Sequence, residues 1–194
     1  MSVLRGLDMN QHQVTIILVA IVIVAIAAII GFFYVRKRRS QLLRERFGPE
    51  YDRVVKQEGD IRRGEAVLGF RTRSRERLLI HPLTPSARTG FAERWRNVQA
   101  QFVDDPTNAV IRADQLVNEV MQARGYPMAE FEQQVDVISV DYPVLVNNYR
   151  SAHDIAVRHG RGQASTEELR RALVHYRSLF DELLEERTLQ RKGA

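Results

Sequence analysis

The stretch Val14 to Val35, VTIILVAIVIVAIAAIIGFFYV, runs for 22 residues without a charged side chain. At 1.5 Å per residue it makes a helix of about 33 Å, slightly longer than a hydrocarbon core of roughly 30 Å. Many of its residues are β-branched, which lowers helix propensity in water. In lipid that preference matters less, because an unpaired backbone group costs far more there. Phe32, Phe33 and Tyr34 stand at the end nearest the charges, as an aromatic interface belt does.

Arg36-Lys37-Arg38-Arg39 follows at once, with Arg44 and Arg46 shortly beyond, whereas Arg5 and Asp8 cancel in the preceding tail. The positive-inside rule then places the amino terminus outside and the rest of the chain in the cytosol. A cleaved signal peptide carries its basic residues ahead of a shorter apolar run and a small-residue cleavage site after it, and here the order is reversed. A small soluble domain could not cover so long an uninterrupted apolar helix on every side. The expected layout is a short extracytosolic tail over 1–13, a transmembrane helix over 14–35, a basic juxtamembrane helical region over 36–80 and a helical bundle over 81–194.

Charge follows the same layout. The 194-residue chain has a formal net charge of +5. Residues 36–80 carry 14 Lys and Arg against 7 Asp and Glu, while residues 81–194 carry 14 against 16. A nucleic-acid-binding domain more often spreads its positive excess over the folded body. A mean hydropathy of −0.30 argues against further membrane spans. Cysteine is absent, which excludes disulfides, iron–sulfur clusters and thiolate-bound zinc and leaves the compartment open.

Beyond the anchor the signals are helical. Gly48-Pro49 breaks the first helix, and Pro49 suits the start of another, PEYDRVVKQEGDIRRGEAVL, with Tyr51, Val54, Ile61 and Leu68 loosely on one side. Gly59, Gly64 and Gly69 interrupt it, so the spacing leaves open one helix, two, or order gained only against lipid. Leu78-Leu79-Ile80 is a short apolar run before His81-Pro82 turns the chain. Thr84-Pro85 and Asp105-Pro106 each read as an N-cap with proline at the first helical position. Phe91, Trp95, Val98 and Phe102 form one helical stripe; Val110, Ala113, Val117, Val120 and Met121 form the next, ended by Arg124-Gly125-Tyr126-Pro127. A short helix carries Phe131, Val135 and Ile138, and Ser139 to Pro143 reads as a turn. Tyr142, Leu145, Tyr149, Ala152 and Ala156 repeat at helical spacing. After the polar loop Gly160 to Ala164, Ser165 and Glu168 make a capping box. Leu169, Leu173, Tyr176, Phe180 and Leu183 follow, with Ala172, Leu179 and Leu184 widening the face as a bundle core requires. The expected fold class is all-α, an antiparallel bundle after one membrane helix.

No phosphate-binding glycine loop, dinucleotide fingerprint or HExxH pair occurs. The five histidines never adopt an i, i+4 ligand spacing, so the pattern names no metal ligand, cofactor residue or catalytic residue. His153-Asp154 reads as a hydrogen-bonding pair at the surface or between helices. Asp104-Asp105 reads as helix capping rather than paired catalytic carboxylates. Trp95 reads as core, and Tyr126, Tyr142, Tyr149 and Tyr176 as buried rings with polar tips.

Two basic clusters remain. Arg36, Lys37, Arg38 and Arg39, with Arg44 and Arg46, read as topology determinants touching anionic headgroups. At about 1 kcal/mol each, the first four supply roughly 4 kcal/mol of surface attraction. Arg62, Arg63, Arg71, Arg73, Arg75 and Arg77 form a second cluster, readable as a solvated face, a lipid-facing patch or a site for an acidic protein partner, with nucleic acid the weakest reading.

The strings LLRERFGPEYDRVV (42–55), QFVDDP (101–106), MQARGYP (121–127) and STEELRRALVHYRSLFDELL (165–184) resemble a widespread family of uncharacterised bacterial proteins. The resemblance implies a bacterial inner-membrane setting and carries over no activity, ligand or catalytic residue. Together these readings favour a non-enzymatic interaction or scaffolding module at the cytosolic membrane face, with the lipid bilayer and an unidentified protein as partners. The alternative is an enzyme without a short motif acting near the membrane, for which a pocket collecting ionisable groups around His153, Asp154 or His175 would speak.

Overall fold

The computed structural model describes the backbone of residues 3–185 and the side chains of residues 15–185. The described residues form eight helices and no strand. They divide into two compact units, with the break between Leu43 and Arg44.

The first unit is part of α1 (Val3–Phe47), a helix of 45 residues. The helix begins well before the apolar stretch, so the backbone over 3–13, expected as a tail, is helical; no proline interrupts it. Side chains of that segment lie outside the described ones. From Thr15 onward α1 is long and apolar enough to cross a membrane, and none of its most apolar window is buried by protein.

The second unit opens at the end of α1. Gly48 takes φ +49, which only glycine accepts without strain, and α2 (Pro49–Glu58) starts on proline. The stretch left open by its glycines is two helices. Gly59 closes α2 in the left-handed conformation, and Asp60 caps α3 (Ile61–Glu76) by accepting from the Arg63 amide. The hairpin is tight: a Cβ on Gly64 would stand 2.9 Å from the Val55 Cα. Tyr51, Val54 and Leu68 are buried between the helices as expected, but Ile61 is exposed at the first turn of α3.

Next come α4 (Pro85–Gln101), α5 (Pro106–Ala123), α6 (Phe131–Asp141), α7 (Val146–Gly160) and α8 (Thr166–Leu184). Thr84, Asp105 and Ser165 cap α4, α5 and α8 through their side chains, and Ser165 and Glu168 form the capping box in both directions. Arg124 ends α5. The Gly125 amide then donates to the Gln122 carbonyl and the Tyr126 amide to the Met121 carbonyl, a Schellman arrangement. Gly125 needs φ +93 here, and a Cβ would collide with the Leu79 carbonyl oxygen. One expected boundary moves: Ser139 is buried inside α6, its hydroxyl donating to the Asp136 carbonyl, so the turn begins only after Asp141.

The core fills the space among α4, α5, α7 and α8. Trp95 stacks on Phe180 with ring centroids 4.5 Å apart, and Val117, Tyr149, Ala172 and Leu179 belong to the same buried cluster. Leu78 and Ile80 pack against this core, while Leu79 between them is 89% exposed. The boundary expected at residue 80 does not divide the structure. Glu50 on α2 and Arg71 and Arg75 on α3 bond to α6 and α7, tying the hairpin into the second unit.

Candidate functional site

The twelve basic residues singled out above fall into three environments. On α1, Lys37, Arg38 and Arg39 are exposed and Arg36 is partly covered. Arg44 leans over the Tyr51 ring, 5.0 Å from its centroid, and pairs loosely with Asp52 at 3.5 Å. Both partners are largely exposed, where such pairs contribute little. Arg46 is half-buried.

The second cluster does not act as one patch, because α3 turns its arginines two ways. Gly64, Leu68, Arg71 and Arg75 share the inward face at spacings of four, three and four. Arg71 donates to Glu50 at 2.8 Å and pairs with Asp136 at 2.6 Å. Arg150 of α7 takes both Glu50 oxygens, each at 2.7 Å, so one buried carboxylate serves two guanidinium groups. Burial pushes the Glu50 carboxyl up, but the two arginines outweigh it and hold it below the usual range. Arg75 binds the same Asp141 oxygen that accepts from the Tyr126 hydroxyl at 2.7 Å. Arg71 and Arg75 are therefore internal cross-links and are withdrawn from any ligand surface.

Arg62, Arg63, Arg73 and Arg77 point the other way and are exposed. They flank Phe70, which is 63% exposed, on a face that also includes Ala66. An exposed aromatic ring and four exposed arginines thus share one face of α3, Arg73 within a turn of Phe70 and the other three about two turns away along the helix.

The pocket that the alternative reading would require around His153, Asp154 or His175 is present at His153, without the other two. A pocket of about 420 Å³ opens between α5, α6 and α7. Asp114 and Asn118 supply one wall, Phe131 and Gln134 a second, Tyr149 and His153 a third, and Met128 stands at the rim. Burial pushes the Asp114 carboxyl up, partly offset by the Tyr176 hydroxyl beside it and by His153. The Tyr176 hydroxyl reaches no well-formed bond, and its own ionisation is pushed up by burial next to that carboxylate. His153 stacks flat on Phe131 with centroids 3.6 Å apart and makes no hydrogen bond. Asp154, expected as its partner, instead accepts from Arg158 at 3.0 Å one helical turn away. Val110, Asp114, Val117 and Met121 share a stripe at spacings of four, three and four; a carboxylate on that stripe was the available signal.

Among the described residues no three His, Asp or Glu side chains come together as a metal site. Compared with protein-family models, curated proteins and solved structures, the chain matches none.

Proposed function

We propose that this chain is a single-pass membrane protein of the bacterial inner membrane, a non-enzymatic interaction or scaffolding module whose helical body lies on the cytosolic side. The observation that carries the reading is the outward face of α3, which presents exposed Arg62, Arg63, Arg73 and Arg77 together with exposed Phe70. Cations around an aromatic ring suit a surface of anionic headgroups, where arginine stems lie along apolar matter and an aromatic ring sits at the interface. The Arg36–Arg39 cluster supports the same orientation through the positive-inside rule. Only 22 residues separate Arg39 from Arg62. With that face on lipid, the nearly neutral remainder of the body is left for a protein partner.

The test is to place p-benzoylphenylalanine at position 70 of the full chain and irradiate native membranes. Adducts to anionic lipid that disappear in the triple variant R62E/R73E/R77E support the lipid contact. Adducts only to protein would replace lipid by an acidic partner at this face, and the absence of both would end the reading.

An enzyme acting near the membrane is the second reading, and the pocket holding Asp114 and His153 favours it. Against it, no nucleophile is hydrogen-bonded to His153, whose ring is committed to Phe131.

A further inference from the structure

We infer that Leu79, in the segment joining α3 to α4, inserts into the apolar part of an anionic lipid surface, with Arg73 and Arg77 on the headgroups beside it. The inference rests on the lipid-facing reading of α3 and adds the residue that enters the bilayer.

Among the described residues no large apolar side chain is more exposed than Leu79, at 89%. The backbone holds it there. Leu78 and Ile80, on either side, pack against the main core. The Leu79 carbonyl lies against Gly125, where a Cβ would stand 2.4 Å from its oxygen. The His81 amide donates to the Arg124 carbonyl at 3.0 Å. A segment pinned at these points has little backbone freedom left to lose on binding. A solitary exposed leucine is ordinary on a protein surface. The neighbours of this one give it a partner.

Phe70, Arg73 and Arg77 share a stripe of α3 at spacings of three and four, and Leu79 follows shortly after. Arginines in that position pair with phosphate while apolar side chains reach past it into hydrocarbon. Val103 is the contrast. It is 83% exposed in the turn after α4, but Asp104 and Asp105 follow it, and an anionic surface repels them. The position of the stripe agrees. Gly64 meets Val55 and Arg71 pairs with Glu50, so α2 and α3 run antiparallel. α3 passes the start of α2 near Arg71, and Arg73 and Arg77 lie beyond it, at the end where the chain enters this unit. The same chain carries a helix apolar enough to cross a membrane, so lipid is the partner that its own sequence brings close.

The chain has no cysteine, so a nitroxide on one introduced cysteine reports a single position. The full chain carrying Leu79→Cys, Phe70→Cys or Val103→Cys is placed in nanodiscs of phosphatidylethanolamine and phosphatidylglycerol. Collision with oxygen, enriched in the bilayer, is compared with collision with a nickel chelate confined to water. The oxygen-to-nickel ratio at position 79 should be several times that at 103. Adding Arg73→Glu and Arg77→Glu should bring it down towards the value at 103, and a ratio indifferent to those charges overturns the headgroup pairing. Lipid at 70 with water at 79 overturns the insertion and leaves the lipid face of α3 standing. Water at both positions overturns the two together. Equal ratios at 79 and 103 mean that the label chooses its own place, and exclusion of both agents at 79 means that protein covers it; either result overturns the inference.

Discussion

The α2–α3 hairpin and the α4–α5–α7–α8 core belong to one compact unit but hold together by different physics. The core is continuous apolar packing, with Trp95 on Phe180 at its centre. The hairpin keeps a small apolar interior of Tyr51, Val54 and Leu68. It meets α6 and α7 through buried ion pairs, with Glu50 shared by Arg71 and Arg150, Arg71 reaching Asp136, and Arg75 on Asp141. Apolar packing is indifferent to pH and tolerant of small shifts. Buried ion pairs have paid for desolvation and are valuable only while every partner is present and charged. The difference makes the hairpin the conditional part of the body.

Phe180→Ala tests the core and should be the largest effect, about 3–5 kcal/mol, seen as a fall in the melting temperature of the full chain followed by Trp95 fluorescence. Glu50→Ala tests the hairpin junction. It strands Arg150 and leaves Arg71 only Asp136, and should cost about 3 kcal/mol, which Arg150→Met added on top should partly restore. If the double variant is worse than the single by the full cost of a lost partner, the junction is not an electrostatic one.

Acid should separate the two regions. The Glu50 carboxyl is lower in the folded state than in the unfolded chain, so its contribution is present above the unfolded value and is lost as pH falls through the folded one. Below about pH 4, amide exchange in α2 and α3 should accelerate while Trp95 fluorescence holds. In Glu50→Gln the hairpin should exchange faster already at neutral pH and show much less further change with acid. The smallest effect belongs to a cap. Ser165→Ala removes the acceptor for the Glu168 amide and should lower stability by about 1 kcal/mol, fraying the start of α8 and leaving the hairpin untouched.

What the chain announced in advance follows the same division. Caps and apolar stripes are local, so Thr84, Asp105, Ser165 and the Trp95 and Phe180 stripes were legible from spacing alone. Ion pairs join residues far apart: Glu50 and Arg150 are separated by 100 positions, and nothing in either neighbourhood names the other. Arg71 and Arg75 looked like the rest of a basic run, although their register with Gly64 and Leu68 placed them on the inward face. Arg124 read as an ordinary basic last turn. It is 1% exposed and binds the Tyr142 hydroxyl at 2.8 Å and the Leu183 carbonyl at 2.9 Å, fastening the end of α8 to the end of α5. His153 was assigned to the neighbouring Asp154, yet consecutive residues on a helix point in different directions, and α6 brings Phe131 to it instead. The spacing named His153 as a possible pocket residue but not Asp114, Phe131 or Gln134 beside it, since three helices build that pocket.

The proposed arrangement is an anchored chain whose body faces the cytosol. Its most direct test is protease added to intact spheroplasts carrying the full chain tagged at its carboxyl terminus. The account predicts that everything after Arg39 survives until the membrane is permeabilised. Digestion of that region from outside, in sealed spheroplasts, would contradict it.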